Sequence, residues 1–159
     1  MTRTVFLKNL GKISYAKAFS FQKELVRAHL DVLKSSKQIK SRNILIICEH
    51  YPVYTVGIQN KKDAKFYLNE KQRLIRLGAD FEFSNRGGLT TFHGPGQLVC
   101  YPILNLAYFS KNMKWYVAQL ENTLINTCRS FGLNASTTED TGVWIGNSKI
   151  AAIGEDLNF

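Results

Sequence analysis

Acidic side chains are scarce in this 159-residue chain, with 12 Asp and Glu against 21 Lys and Arg and a formal charge of +9. The first 23 residues contain no Asp or Glu, yet carry Arg3, Lys8, Lys12, Lys17 and Lys23. That pattern fits a mitochondrial presequence, and it equally fits the first strand and helix of a folded domain. The cationic excess is spread along the chain. Without an arginine-rich block or a binding signature, it reads against nucleic acid. It leaves a basic face able to meet an acidic protein partner, or a plainly solvated surface. Cysteine is also scarce. Cys48, Cys100 and Cys128 are an odd number, with no Cys-x-x-Cys or Cys/His ligand spacing. This suggests neither a disulfide framework nor a zinc site, and no metal set is expected. All three lie in apolar, strand-like or helical surroundings, as buried thiols of a reducing compartment do. No apolar run nears the roughly 18 residues of a membrane helix. "ILIIC" at 44–48 reads as a buried strand instead.

What is present is the pattern of one globular domain, 1–159. The apolar fraction is 45%, enough for a core, and no repeat or low-complexity segment interrupts it. "TVFL" predicts a strand. From Ser14 to about Ser35, Tyr15, Ala18, Phe19, Gln22, Leu25, Val26, His29, Leu30 and Leu33 form one helical face. "NILIICEH" and "YPVYTVGIQ" predict two strands, with Pro52 at an edge or entry. "DAKFYLNEKQRLIRLGA" predicts a helix closed by Gly78. "DFEFSNRGG" and "LTTFHGPGQLVCYPILNL" predict strands around a glycine-rich break. Asn112 caps a helix with Val117, Leu120, Leu124, Cys128 and Phe131 on one face, and Gly132 ends it. "GVWIGNSKIAAIG" predicts a hairpin turning at Gly146-Asn147. The fold class is α/β (α+β), with a mixed, largely antiparallel sheet flanked by helices.

Residues 86–97, "RGGLTTFHGPGQ", carry the chemistry. Gly87-Gly88 and Gly94-Pro95-Gly96 bracket a short strand. Glycines permit positive φ and let backbone amides approach a ligand closely. Arg86 adds a fixed cation with five donors, and His93 adds a titratable donor or acceptor. Together they suit a ligand with a polar head and a body that needs room. A phosphate loop is excluded because no Gly-Lys-Ser/Thr follows. A dinucleotide fingerprint is excluded because no helix follows.

"RGGLTTFHGPGQLVCYPILNL" closely resembles the signature of the lipoyl(octanoyl) transferases. "EHYPVYTVGI" and "TGVWIGNSKIAAIG" resemble that family's flanking segments, so the likeness runs from about residue 4 to Gly154. The resemblance implies a fold related to biotin protein ligases and lipoate–protein ligases. It implies lipoate biosynthesis: an octanoyl or lipoyl group moves from acyl carrier protein to a lysine of lipoyl domains in 2-oxoacid dehydrogenase and glycine cleavage proteins. The donor is the carrier's phosphopantetheine thioester, and no cofactor is needed. Arg86, Gly87, Gly88, Leu89, Thr90, Thr91, Phe92 and His93 carry over as the acyl site. Ala152, Ile153 and Gly154 carry over as a further acyl-contacting turn, and Lys149 as the lysine that polarises a nucleophilic cysteine. An ammonium beside a thiol favours the thiolate. Burying seven carbons of the acyl tail is worth on the order of 5 kcal/mol.

The family's pattern continues past the Lys-Ile-Ala turn to a Pro-Cys-Gly segment with the nucleophile. "EDLNF" does not resemble that continuation. The expectation is a C-terminally truncated form that binds an octanoyl group without turning it over. Arg86 and His93 are expected to line one pocket, with Lys149 pointing into it. Two alternatives stay open: a non-catalytic acyl- or carrier-protein-binding module, and a lipoate–protein ligase. The ligase is less favoured, since its His-Asp-x-Gly-Asn-like stretch is replaced here by His93-Gly94-Pro95-Gly96-Gln97. The expected protein is a monomer, off the membrane, and mitochondrial or from a bacterial cytoplasm.

Overall fold

The computed structural model describes residues 4–34, 42–57, 64–84, 86, 90–110 and 112–154. They form two compact units, one up to Asn105 and one from Leu106 onward.

The first unit is built from two strand–helix–strand passages. Strand β1 (Val5–Ile13) leads through helix α1 (Tyr15–Lys34) to β2 (Asn43–His50), which pairs with β1 in parallel. The acid-free N-terminal stretch therefore contributes a paired strand and the start of a helix. Gly11, at φ +61, sits where the β1–β2 register shifts between Asn9 and Lys12. Such a left-handed residue is what a bulge needs. On α1 the residues Tyr15, Ala18, Gln22 and Val26 are buried, a stripe of helical period. On β2, Ile46, Cys48 and His50 are buried, alternate and so share one sheet face, and Asn43 is buried at the strand's start. Leu30, expected on the buried stripe of α1, is exposed.

The second passage runs from β3 (Val53–Val56) through α2 (Ala64–Arg76) to β4 (Asp80–Phe83), again parallel to its first strand. Val56, Tyr67, Leu74 and Phe81 form its core, with Tyr54 packed against them. Gly78, at φ +83, closes α2 where the sequence places its stop.

Two further strands tie these passages together. Strand β5 (Thr91–His93) pairs antiparallel with β3, in a sheet ordered β4-β3-β5. Strand β6 (Val99–Ile103) pairs antiparallel with β2, in a sheet ordered β1-β2-β6. The mixed, antiparallel-rich architecture is thus distributed over separate sheets, and Gly94-Pro95-Gly96 is where the chain leaves one for the other. Gln97 N–H closes the turn on Gly94 O at 3.2 Å, with Gly96 at φ +84. The glycines that interrupt the strand pattern mark this change of sheet.

In the second unit a 3-10 turn (Leu106–Tyr108) precedes α3 (Met113–Ser130). The Asn112 side chain accepts the Trp115 N–H at 3.0 Å, the expected cap. Gly132, at φ +74, follows the helix. The hairpin of β7 (Val143–Ile145) and β8 (Ser148–Ala151) turns at Gly146-Asn147. It is tied to α3 by the Gly142 N–H donating to Glu121 Oε1 at 3.0 Å. Cys128 is buried, but Phe131, expected on the same face, is 77% exposed because it lies past the helix end.

Candidate functional site

In the first unit, β3 and β5 present alternate side chains to opposite faces. Thr55 pairs with Thr91 and Val53 with His93, so these side chains share a face. Phe92 falls on the other face, where its ring meets Tyr54 at 4.9 Å between centroids. The acyl-site stretch is therefore split by strand parity: Thr91 and His93 go one way and Phe92 the other.

Thr55 is fully buried. Arg86 closes on it, with Nη2 donating to Thr55 O at 2.7 Å and to Thr55 Oγ1 at 2.8 Å, and Nε donating to Oγ1 at 3.3 Å. Thr55 Oγ1 is also 3.4 Å from Thr91 O and 3.4 Å from His93 Nε2. The other ring nitrogen of His93, Nδ1, lies 2.8 Å from Gln97 Oε1. Arg86 and His93, seven positions apart across the glycine-rich stretch, thus meet on one buried threonine.

A second histidine adjoins. His50 is fully buried at the end of β2. Its Nδ1 donates to Ile13 O at 2.9 Å, so its Nε2 is the acceptor for the Tyr101 hydroxyl at 2.8 Å. The His50 and His93 rings meet edge to face at 5.9 Å between centroids. Tyr15 of α1 stacks on His93 at 6.5 Å and meets His50 edge-on at 5.6 Å. Gln22, two turns beyond Tyr15 on α1, buries its Nε2 without a hydrogen-bond partner among the described residues. Its side chain nonetheless comes close enough to the Tyr101 hydroxyl to act on it as a hydrogen-bond partner, opposing the effect of burial on that phenol. The site is therefore assembled from α1, β2, β3, β5 and β6.

Its electrostatics follow from burial. Burial holds the His93 imidazolium below the usual histidine range; the Gln97 contact opposes this, while His50 and Arg86 add to it. Burial also lowers the Arg86 value, though a guanidinium keeps its proton. Burial, with Tyr15 and Cys48 nearby, raises the Tyr101 phenol far above its ordinary range. The site thus holds a neutral imidazole, a neutral phenol and one fixed cation. Such a set can exchange hydrogen bonds with a polar acyl head group.

Of the three thiols, Cys48 and Cys128 are buried as expected and Cys100 is not. Burial, then Cys100, pushes the Cys48 thiol up to about 11. Its Sγ lies 3.7 Å from His50 Nε2, a nitrogen already engaged by Tyr101. Cys100 is exposed rather than buried. It pairs in register with Ile47, on the sheet face opposite Cys48 and His50. Desolvation nonetheless raises its value. Neither thiol is poised as a thiolate.

Of the remaining expected site residues, Thr90 is exposed ahead of β5, and Gly87, Gly88 and Leu89 lie outside the described residues. Lys149, Ala152, Ile153 and Gly154 belong to the second unit. There Lys149 Nζ donates to Thr141 O at 3.0 Å and sits 4.7 Å above the Trp144 ring. A Cβ on Gly142, itself at φ +130, would come 3.3 Å from the Lys149 side chain, so the lysine packs along the hairpin. Ile153 is half-buried, and Ala152 and Gly154 are exposed. Tyr15, Gln22, His50, Thr55, Gln97 and Tyr101 were not among the expected site residues. For His50 a signal existed: it continues the Ile46–Cys48 alternation onto the core face. Among the described residues, no three His, Cys, Asp or Glu side chains gather as a metal set would. No described helix is long and apolar enough to cross a membrane.

Comparison with known proteins gives a consistent result. A family described as the lipoyl protein ligase A/B catalytic domain matches residues 14–158. The chain is 55% identical over 146 residues to the mitochondrial octanoyl-acyl-carrier-protein:protein N-octanoyltransferase LIPT2 of Danio rerio, covering 92% of this chain and 62% of that protein. For the Xenopus tropicalis protein of the same name the identity is 44% over 149 residues, covering 93% and 59%. For an octanoyltransferase of Clostridium kluyveri it is 39% over 158 residues, covering 96% and 62%. The chain thus spans 59–62% of the length of these relatives. Among solved structures, lipoate-protein ligase A bound with ATP is similar with a TM-score of 0.56 at 15% identity, covering 94% of this chain and 59% of that one. The P. falciparum LipL1–lipoate complex gives 0.58 at 16%, covering 92% and 42%. These structural likenesses concern the fold.

Proposed function

Because this chain belongs to the lipoyl protein ligase A/B catalytic domain family, we propose that it is an acyl-binding part of an octanoyltransferase of lipoate biosynthesis. The reaction class is acyl transfer, in which octanoyl passes from the thioester of acyl carrier protein to a lysine of a lipoyl domain. The carrier and the lipoyl domain are its proposed partners, and the mitochondrion is its proposed compartment, as for the named animal relatives. The observation that carries this reading is the meeting of Arg86 and His93 on Thr55. It supports a built, partly buried polar end for an acyl site within the stretch that resembles the transferase signature. Gly87, Gly88, Leu89, Thr90, Thr91 and Phe92 complete the proposed site, with Ala152, Ile153 and Gly154 as a further contact and Lys149 as the activating lysine.

Assayed alone, the 159-residue chain holds the acyl group without passing it on. Transfer through an acyl-enzyme needs a thiolate, and the raised Cys48 and Cys100 thiols are poor sources of one. This favours a binding role for the polypeptide by itself. The test compares octanoyl-acyl carrier protein with the unacylated carrier, then weighs a lipoyl domain incubated with chain and donor. Roughly tenfold or greater preference for the acylated carrier is expected, equivalent to about 1.4 kcal/mol of acyl burial. Equal affinities overturn the acyl-site reading, and octanoyl appearing on the lipoyl domain overturns the binding-only role.

A further inference from the structure

The bonds around His93 form a directed chain. Arg86 gives N–H groups from both Nη2 and Nε to Thr55 Oγ1, at 2.8 and 3.3 Å. A hydroxyl that accepts in this way keeps one hydrogen to donate. That hydrogen has two acceptors within 3.4 Å, Thr91 O and His93 Nε2. An Nε2–H would instead face an oxygen already loaded with guanidinium hydrogens. On the ring's other side Nδ1 faces Gln97 Oε1 at 2.8 Å, and an amide oxygen can only accept, so Nδ1 carries the hydrogen. Gln97 is delivered to this place by the Gly94-Pro95-Gly96 turn, four residues beyond His93.

We infer that Arg86, through Thr55, and Gln97 are positioning residues that hold His93 as the neutral, Nδ1-protonated tautomer with Nε2 as an acceptor. Arg86 thereby acts on the imidazole, in addition to supplying positive charge. The single acceptor lone pair of His93 Nε2 faces the Thr55 hydroxyl, so a ligand reaches it only as an N–H or O–H donor, such as an amine or amide, that takes that hydroxyl's place. A carboxylate or phosphate oxygen finds no donor at His93 Nε2 itself. The burial of the imidazole acts in the same direction as the hydrogen bonds, disfavouring the charged ring. Tyr15 and His50 pack against the His93 ring, with Tyr101 behind His50, and none of these neutral side chains supplies an anion that would favour imidazolium.

The inference goes beyond the octanoyl-transfer reading and is tested without activity or ligand. The chain has three histidines, so the full-length protein labelled with nitrogen-15 in its imidazoles gives a simple long-range proton–nitrogen spectrum. His29→Gln assigns one ring and His93→Asn a second. At pH 7.5 His93 is expected to show a protonated Nδ1 and a bare Nε2, the minority form of a free imidazole. Gln97→Leu and Thr55→Val should each shift it towards the Nε2-protonated form, and Thr55→Ser should restore the original pattern. His50, fixed by Ile13 O and Tyr101, reports whether each variant is folded. A wild-type His93 protonated on Nε2 overturns the inference by itself, whatever the variants do. So does a tautomer unmoved by both Gln97→Leu and Thr55→Val while the His50 signals stay in place.

Discussion

His93 is stabilised in its neutral form, and this has a consequence for pH. Its folded value lies below the unfolded 6.5 because burial disfavours the cation, with His50 and Arg86 adding to the effect. The contribution to stability is complete above the unfolded value and is lost as pH falls, since the unfolded chain then binds the extra proton. Thermal midpoints measured between pH 7.5 and 5.5 should decline, and His93→Gln should flatten that decline. A decline unchanged by His93→Gln would show that the proton is taken up elsewhere. The thiols are separated on the same scale. Cys100 is exposed while Cys48 and Cys128 are buried. A maleimide at pH 7.5 should therefore label Cys100 in the native chain, and the other two only after unfolding. Mass spectrometry of peptides from the labelled chain checks this, and native labelling of Cys48 would contradict its burial. The Cys100 expectation failed in the sequence because both strand neighbours are apolar and parity alone sets the face. Only the pairing of Cys100 with Ile47 reveals that it turns away from Cys48.

At the scale of elements, the strands and helices were legible because each carries its own period and punctuation. Asn112, Gly78 and Gly132 mark helix ends in the sequence and in the fold. The strand pairing was less legible. Two of the pairings, β1–β2 and β3–β4, are parallel across an intervening helix, and nothing local distinguishes them from antiparallel partners. The candidate site was half legible for the same reason. Arg86 and His93 stand out because glycines surround them, whereas Thr55, His50, Tyr15 and Tyr101 reach the site only through tertiary pairing. The Gly94-Pro95-Gly96 turn is the element on which the site depends, because it carries the chain from β5 to β6 and sets Gln97 against His93. Gly96 adopts φ +84 with open space around a would-be Cβ. Gly96→Ala should thus cost about 1–2 kcal/mol from backbone strain alone. Urea denaturation measures it, and an unchanged midpoint would mean that the turn relaxes without cost.

At the scale of the molecule, the chain places its assembled polar site wholly in the first unit, while Lys149 and the Ala152–Gly154 turn belong to the second. Membership of the family fixes the fold class, and the acyl-site geometry is what a binding experiment must test. The most direct test is to map octanoyl binding residue by residue. A backbone-labelled full chain is titrated with octanoyl-acyl carrier protein, using the unacylated carrier as the reference. Subtracting the reference removes shifts caused by the carrier's own surface. Acyl-dependent shifts are expected, centred on Thr55, Arg86, Thr91, His93 and Gln97 and accompanied by Tyr15 and Tyr101. Acyl-dependent shifts that spare all of these residues, or none at saturation, would contradict the acyl-site geometry.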